Sequence, residues 1–247
     1  MLEQIEQYWT KRAASYSEVV QYEMAHENEE NWMRVITQQL EAHGCIKVLD
    51  IGTGPGFFAT CLAKRGYEVT AVDYTQSMLD QAKFNAGVYA DRIDFRRMDA
   101  QNMDFEDGTF DAIVTRNLTW NLEDPQRAYK EWKRVLKKGG IMLNFDAGWY
   151  NYLFDDNKAA EFEKSRAEVQ EQGIFDYNDY SESDIMEDIS RKLILSRMQR
   201  PEADLAMLEI ADFAEISVDR HIGERVWDET EKVNYQSTPM FMLKAVK

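Results

Sequence analysis

The sequence predicts an α/β protein with a mostly parallel sheet, and three observations predict it. Apolar runs of strand length alternate with amphipathic segments of helix length between residues 47 and 145, which is typical of parallel strands joined by helices. A glycine-rich turn follows the first of these runs. Acidic residues stand at or just after the ends of the next two runs, where open α/β sheets bind their ligands.

Periodicity places the elements of this central part. Five strands are expected, at Lys47–Ile51, Glu68–Asp73, Ile93–Arg97, 110–115 and 140–145. Three helices are expected between them, at 57–65, 77–90 and 125–136. Lys137 and Lys138, followed by Gly139 and Gly140, predict the end of the last helix, because cations are favoured in a last helical turn and glycine just beyond it.

The remaining segments are predicted from their composition. The first residues form amphipathic helices that carry several aromatic side chains, whereas the segment after the central part opens with aromatic residues and then becomes acidic and helical. A helix through Ala211 and strands at 214–219 and 240–245 predict an antiparallel completion of the sheet. The predicted organisation is a helical lid, a core, a helical cap and a C-terminal completion of the core sheet, at residues 1–43, 44–147, 148–200 and 201–247.

Composition argues against several classes of protein. The formal net charge of −16 disfavours nucleic acid as a partner, because binding to phosphates relies on Lys and Arg. No apolar run reaches the roughly 20 residues that span a bilayer, and the N-terminus lacks the apolar centre of a signal peptide, so the expected location is the cytoplasm. Cys45 and Cys61 have no pattern of a disulfide framework or a metal site, and both are expected in the core.

The turn after the first strand reads VLDIGTGPG over residues 48–56. Glycines at alternate positions allow a sharp turn and let a ligand approach the backbone without a Cβ in the way. A dinucleotide-binding pattern would require glycine where Phe57 stands. The carboxylate of Asp50 would repel a pyrophosphate but attract a cationic amine. The turn therefore favours an amine-bearing ligand, with an ordinary strand-to-helix turn as the alternative.

This Asp-x-Gly-x-Gly-x-Gly turn resembles the signature loop of class I S-adenosylmethionine-dependent methyltransferases. Asp73 follows about 20 residues later at a strand end, where an acid can accept both hydrogen bonds of a ribose diol. The resemblance implies that Asp99 accepts from the adenine amino group. It also implies a Rossmann-like, doubly wound, mostly parallel seven-stranded sheet with an antiparallel last strand, N-terminal helices and a helical cap insertion.

The resemblance, which spans roughly residues 45–147, implies further contacts with S-adenosylmethionine and its product S-adenosylhomocysteine. Met78 would pack on the adenine, Arg116 and Asn117 would face the methionine end, and the leading helix would fold over the cofactor. The full predicted cofactor-binding set is Trp9, Tyr16, Asp50, Gly52, Thr53, Gly54, Gly56, Asp73, Tyr74, Met78, Asp99, Ala100, Arg116 and Asn117.

The methyl acceptor is expected to be a small molecule of unidentified kind, methylated by in-line displacement. Four aromatic residues are predicted on its side of the site, and they either line a pocket or pack the cap: Trp120, Trp149, Tyr150 and Tyr152. A general base is needed only for a protonated acceptor. No residue stands out for that role, and the candidates by position are Asp146, Tyr150 and His26.

Several departures limit the acceptor. Where many relatives carry histidines ahead of an Asp-Pro pair, this chain has Trp120–Pro125, which puts histidine chemistry in doubt. Two cysteines do not supply the thiolates that arsenic methylation needs, and residues 116–119 do not match the motif of enzymes that methylate base amino groups. The alternatives are a cofactor-binding sensor or partner subunit without turnover, and an enzyme that uses the same cofactor or NAD for other chemistry.

Overall fold

A computed structural model describes residues 1–178 and 182–247, so three residues of the predicted cap, 179–181, lie outside the described part. Seven strands of the described part are β1 Lys47–Ile51, β2 Glu68–Asp73, β3 Ile93–Arg97, β4 Phe110–Arg116, β5 Leu136–Asp146, β6 Glu215–Asp219 and β7 Phe241–Val246. They form one sheet in the order β3-β2-β1-β4-β5-β7-β6. The predicted sheet of seven strands is confirmed.

Helices cover both faces of this sheet. The α-helices of the described residues are α1 Leu2–Ala25, α2 Glu27–Ala42, α3 Phe57–Lys64, α4 Gln76–Ala86, α5 Pro125–Val135, α6 Asp156–Gln172, α7 Ser183–Ser190, α8 Glu202–Ile210, α9 Gly223–Val226 and α10 Glu229–Asn234. Short 3-10 helices complete them at Gly87–Arg92, Thr119–Asn121, Asn151–Leu153 and Leu195–Arg197.

Strand direction creates a binding edge. β1 is parallel to β2 on one side and to β4 on the other, and these two pair in parallel with β3 and β5. The carboxyl ends of five strands therefore meet at one edge of the sheet. Because the strand order reverses between β1 and β4, a crevice opens there, which is where doubly wound sheets bind ligands.

The C-terminal strands finish the sheet as predicted. β7 inserts between β5 and β6 and runs antiparallel to both. The prediction of a mostly parallel sheet with an antiparallel last strand is therefore confirmed.

The boundary between α5 and β5 differs from the prediction. The helix ends at Val135, with Lys133 and Arg134 in its last turn, and the strand begins at Leu136. Lys137 and Lys138 thus lie in the strand, so the prediction that they end the helix was wrong. Gly139, at φ 77°, and the register shift between Phe110 and Ala112 allow the irregular first part of β5 to continue as a strand.

The helix after β2 is shorter than the predicted 77–90. It ends at Ala86, and the chain continues as the 3-10 helix Gly87–Arg92. Gly87 has φ 52°, a value that disfavours other residues and breaks the α-helix.

The two helices of the predicted lid have different surroundings. In α2, Trp32, Ile36 and Leu40 are fully buried in the core cluster on one face of the sheet. In α1, Ile5 and Tyr8 belong to a smaller apolar cluster at the carboxyl edge. Segment 1–43 therefore contains one core helix and one helix that reaches the site. The two cysteines are buried and free, as expected.

A buried charged network joins the carboxyl edge to the C-terminal segment. The Arg200 guanidinium, which has no exposed surface, donates to Asp204 Oδ2 at 2.8 Å, to Asp146 Oδ2 at 3.1 Å and to Thr119 Oγ1 at 2.7 Å. The Tyr129 hydroxyl donates to Asp204 Oδ1 at 2.7 Å. The two carboxylates raise the already high pKa of Arg200, against the effect of burial. Both buried acids therefore depend on one cation.

Replacing that cation provides a test of the network. Arg200→Met should lower the free energy of unfolding by about 3–5 kcal/mol, because two buried carboxylates lose their partner. Urea denaturation measures the loss. The matched control is Arg220→Met, which breaks an ion pair with Glu202 whose side chains are both 46% exposed and should change stability by less than about 1 kcal/mol. Similar losses in the two variants would contradict this account.

Candidate functional site

A cavity of about 520 Å³ occupies the crevice at the carboxyl edge of the sheet. Its walls come from the ends of β1, β2 and β4, from α1, and from the segment after β5. Every residue of the predicted cofactor-binding set lines it except Gly56. Residues far apart in the sequence are thus brought to one site.

The glycine-rich turn forms the floor of this cavity. Gly54 has φ 51°, and a Cβ at this position would lie 3.7 Å from the Tyr16 ring, in the space between the turn and α1. Gly56 has φ 88°, and a Cβ there would lie 2.9 Å from the Cβ of Ala82 in α4. Gly54 therefore keeps the turn open toward the cavity, whereas Gly56 lets α3 and α4 pack closely.

Asp50, at the end of β1, is held rigidly. Its Oδ2 accepts from Thr53 Oγ1 at 2.7 Å and from the Ala59 backbone N–H at 3.0 Å, and the residue is 2% exposed. Burial raises the pKa of Asp50 to about 7, although these hydrogen bonds act in the opposite direction. A carboxylate in this position is stabilised by a cation brought into the cavity.

Asp73, at the end of β2, organises the opposite side of the turn. Its Oδ2 accepts from the Gly54 N–H at 3.0 Å, and Oδ1 accepts from the Thr75 N–H at 2.8 Å. Burial raises the pKa of Asp73 to about 6. Because each carboxylate oxygen can accept more than one hydrogen bond, Asp73 retains capacity for a pair of ligand hydroxyls.

The third acidic position lies one strand further. Asp99 Oδ1 accepts from the backbone N–H and the side-chain amide of Gln101, at 2.9 and 3.1 Å. The backbone carbonyl of the neighbouring Ala100 accepts a hydrogen bond from Trp132 Nε1 at 2.9 Å. This bond attaches the loop after β3 to a buried side chain of the core. Met78, 2% exposed, and the half-buried Tyr74 line the same part of the cavity. This wall combines apolar surface with one acid.

Helix α1 closes the cavity from the side. The rings of Trp9 and Tyr16 lie 5.8 Å apart, and both line the cavity. Burial raises the pKa of Tyr16, so its hydroxyl keeps its proton at neutral pH. The predicted contact of α1 with the site is present, and its role as a lid stays a prediction.

An ion pair fixes α1 to the end of β4. Arg116 donates to both carboxylate oxygens of Glu23, at 2.7 and 2.9 Å, and its guanidinium lies 4.6 Å from the centre of the Phe57 ring. The pair is nearly buried, with side chains 11% and 8% exposed. Arg116 therefore lines the cavity with its charge already neutralised, and Asn117 follows it at φ 56°.

Aromatic side chains form another part of the cavity wall. Trp120 and Tyr150 lie 4.9 Å apart, Tyr150 and Tyr152 6.0 Å apart, and Tyr152 stacks on Phe162 of α6 at 4.1 Å. The Tyr152 hydroxyl donates to Glu187 of α7 at 2.8 Å. All four predicted acceptor-side residues line the cavity, Trp149 among them. The sequence left open whether they line a pocket or pack the cap, and Trp120, Trp149 and Tyr150 do both.

The three candidate bases differ in position. Asp146 has no exposed surface, and its carboxylate is used within the buried network of Arg200. Its Oδ1 also accepts a hydrogen bond from Trp149 Nε1 at 2.9 Å. The His26 ring stacks on Tyr22 at 3.9 Å and lines neither this cavity nor the smaller one beside it. Neither can meet a molecule in the cavity, which corrects those two candidacies. Tyr150 lines the cavity.

Several residues of the site have no recognisable signal in the sequence. Glu23 lies within a long helix among other acids, and Tyr177 and Tyr235 lie in segments without a recognisable motif. All three line the cavities at the end of β4. Only the packing of distant segments brings them there.

This fold has an acid at the end of each of β1 and β2 around a glycine-rich turn, as the resemblance to class I methyltransferases implies. Residues 49–144, which are less than half of the chain, match the family model described as a methyltransferase domain. This match agrees with the resemblance seen in the sequence over roughly residues 45–147. No helix in the described ranges, 1–178 and 182–247, combines the length and the apolar character that a bilayer crossing requires.

Similar proteins cover different shares of the chain. A ubiquinone biosynthesis O-methyltransferase of Coxiella burnetii is 34% identical over 127 residues, 49% of this chain and 54% of the relative. A demethylmenaquinone methyltransferase of Clavibacter sepedonicus is 32% identical over 117 residues, 47% of each chain. This chain thus spans about half the length of these relatives. A structure from Methanococcus maripaludis, described as an S-adenosyl-L-methionine-dependent methyltransferase, is 21% identical, covers 96% of this chain and 93% of its own, and has a TM-score of 0.60, which shows the fold.

The packing role of Gly56 can be separated from its backbone conformation. Gly56→Ala and Gly66→Ala introduce a Cβ at nearly the same φ, 88° and 87°, but only at Gly56 does the Cβ meet another side chain. Both variants should lose about 1–2 kcal/mol from the left-handed conformation, and Gly56→Ala should lose about 1–3 kcal/mol more from overpacking. Urea denaturation of the two variants measures this difference. Equal losses would show that the contact with Ala82 is unimportant.

Proposed function

We propose that this protein is a methyltransferase that transfers the methyl group of S-adenosylmethionine to a small-molecule acceptor. One observation carries the proposal: a single cavity is lined both by three acids along the glycine-rich turn and strand ends and by a row of aromatic rings. The first wall suits an amine-bearing nucleoside, and the second suits an organic molecule. The match of residues 49–144 to methyltransferase domains supports this assignment.

The residues of the acidic wall fit the chemical groups of this cofactor. Asp50 would pair with its ammonium group, because a cation relieves the cost of a buried carboxylate. Asp73 would accept hydrogen bonds from the ribose hydroxyls, and Asp99 from the adenine amino group, beside the apolar surface of Met78. The open backbone at Gly54 leaves room for the nucleoside to approach the turn.

When bound, S-adenosylmethionine supplies a methyl group already activated by its positive sulfur. The protein then has to align the acceptor and exclude water, and alignment of two reactants can lower a barrier by several kcal/mol. Tyr16 and Asn117 both line the main cavity and the smaller one beside it. We assign to them the positioning of the reacting groups.

The aromatic wall is proposed to bind the acceptor. Trp120, Tyr150 and Tyr152 form a continuous row of rings. Apolar packing and one hydrogen bond with α7 hold this row of rings in place. The relatives named above include an O-methyltransferase and a methyltransferase named for demethylmenaquinone. These names support a small-molecule acceptor but leave its kind to be decided from this chain's own residues. A location in the cytoplasm stays a prediction.

The proposal is tested at Asp73. Asp73→Asn should weaken binding of S-adenosylmethionine and S-adenosylhomocysteine by about 10–100-fold, because hydrogen bonds to a charged acceptor contribute about 1.5–3 kcal/mol. Isothermal titration calorimetry measures the affinity, with NAD as the competing ligand class. The control is Asp94→Asn on β3, whose carboxylate is 48% exposed and pairs with Arg96. Preferential binding of NAD by the wild type, or an unchanged affinity in Asp73→Asn, would refute the assignment.

A pH dependence follows from Asp50. Since its pKa of about 7 should fall when a cationic amine binds, affinity for S-adenosylhomocysteine should rise between pH 5.5 and 7, by up to about tenfold per pH unit, and level off above pH 7. Asp73, with a pKa of about 6, contributes in the same direction below pH 6. Calorimetric titrations of the wild type and of Asp50→Asn provide the comparison. The variant should lose the rise between pH 6 and 7, and an identical profile would exclude Asp50 as the amine-binding group.

A further inference from the structure

A second, smaller cavity lies beside the main one. Its volume is about 40 Å³, against the roughly 10–15 Å³ that one water needs, so it can hold a small head group but no whole substrate. The two cavities share six lining residues: Tyr16, Arg116, Asn117, Trp149, Tyr177 and Tyr235. A molecule seated in the main cavity can therefore extend one group into the smaller cavity, here called the side cavity.

The side cavity contains a buried carboxyl group without an ion-pair partner among the described residues. Glu231 of α10 is 7% exposed, and its Oε2 accepts from Asn28 Nδ2 at 2.7 Å and from the Asp228 N–H at 2.9 Å. No described residue donates to Oε1, and no described cation pairs with Glu231. The only cation lining the side cavity, among described residues, is Arg116, and Glu23 binds it through both oxygens.

A second buried group needs a hydrogen-bond donor. Asn28 is 1% exposed and lines the side cavity, and its amide nitrogen is used by Glu231. Its carbonyl oxygen, Oδ1, is buried and accepts no hydrogen bond within the described part of the chain. Leaving such an acceptor unsatisfied is unfavourable by about 1–3 kcal/mol. Glu231 Oε1 and Asn28 Oδ1 are therefore both available to accept a hydrogen bond from a ligand.

Aromatic rings form the rest of the wall. Tyr235 packs against Trp149 at 5.2 Å, against Trp227 at 5.2 Å and against Tyr177 at 6.0 Å, and all four rings line the side cavity. Ring faces attract cations, most strongly where water is excluded. Burial and the charge of Glu23 raise the pKa of Glu231 to about 8, although the charge of Arg116 acts in the opposite direction. A bound ammonium would lower this pKa and favour the carboxylate form. Rings, carboxylate and unsatisfied acceptor favour the same kind of group, an organic ammonium.

We propose that the side cavity binds the protonated amine of the methyl acceptor, and that the acceptor is therefore an amine-bearing small molecule methylated on nitrogen. The proposal rests on the proposed function, which it deepens. A neutral hydroxyl would form no ion pair with Glu231, and an anionic group would be repelled by Glu23 and Asp228.

The same carboxylate can take the proton that blocks the reaction. An ammonium has no lone pair, so Glu231 accepts one N–H proton and the amine becomes neutral. The nitrogen lone pair then forms a bond to the methyl carbon while the carbon–sulfur bond breaks and its electron pair stays on sulfur. The products are a methylated ammonium, which now carries the positive charge, and the neutral thioether S-adenosylhomocysteine. Atoms, electrons and charge balance without a further reactant.

The experiment compares three probes of one shape on protein saturated with S-adenosylhomocysteine. These are 2-phenylethylamine, 2-phenylethanol and phenylacetate, with methylammonium as a minimal amine, and ligand-observed NMR titration gives their affinities. The wild type should bind the phenyl amine at least about tenfold more tightly than the alcohol. Glu231→Gln should reduce this preference to less than about threefold. Glu229→Gln is the control, because Glu229 lies on the same helix with its side chain 89% exposed.

The outcomes separate the two proposals. Binding of S-adenosylhomocysteine is measured first in every variant by calorimetry, and its absence from the wild type would overturn the proposed function itself. With that binding intact, equal affinity for the alcohol or the carboxylate, or no amine-selective binding by any probe, would overturn the side-cavity proposal. So would a preference that survives in Glu231→Gln. Glu231→Asp, which keeps the charge on a shorter side chain, should retain part of the preference and thereby distinguish loss of charge from loss of structure.

Discussion

The pairing of buried charges at the carboxyl edge of the sheet is the interaction on which the rest of the structure depends. Arg200 neutralises Asp146 and Asp204, and so joins the end of β5 to α8. Arg116 and Glu23 join the end of β4 to α1. A buried charge without a partner is strongly unfavourable, so each of these arginines determines where a distant segment can lie. Both cavity walls are positioned in this way.

The acids that are left without a cation belong to the site. Asp50 and Asp73 line the main cavity, and Glu231 lines the side cavity; burial raises the pKa of all three. The other buried acids at this edge form ion pairs with Arg116 or Arg200. These three acids instead accept hydrogen bonds from neutral groups, so a cationic ligand could still pair with them. Acids whose pKa is strongly raised, and which lie in a cleft, are typical of functional sites. A bound cation would lower these pKa values again by pairing with the carboxylates.

These features connect the cofactor wall to the acceptor wall. Tyr16 and Asn117 line both cavities, so they lie between the group that would hold the cofactor amine and the group that would hold the acceptor amine. Two cations, the sulfonium and an ammonium, would then be brought together in one site. Their mutual repulsion is a reason for separate acids on each side and for an acid that can remove a proton from the acceptor.

The sequence by itself determined the central strands, the glycine-rich turn and the acids at the strand ends, because these depend on local periodicity and on motifs of fixed spacing. β1, β2 and β3 lie where predicted, and Asp50 and Asp73 line the cavity. Asp146 was misjudged because a strand-end acid has the same local pattern whether it faces a ligand or a buried arginine. Only the tertiary structure decided the surroundings of Glu23, Asn28 and Glu231, because distant helices form them and their contacts leave no local trace in the sequence. Asn28 and Glu231, for example, are 203 residues apart in the chain.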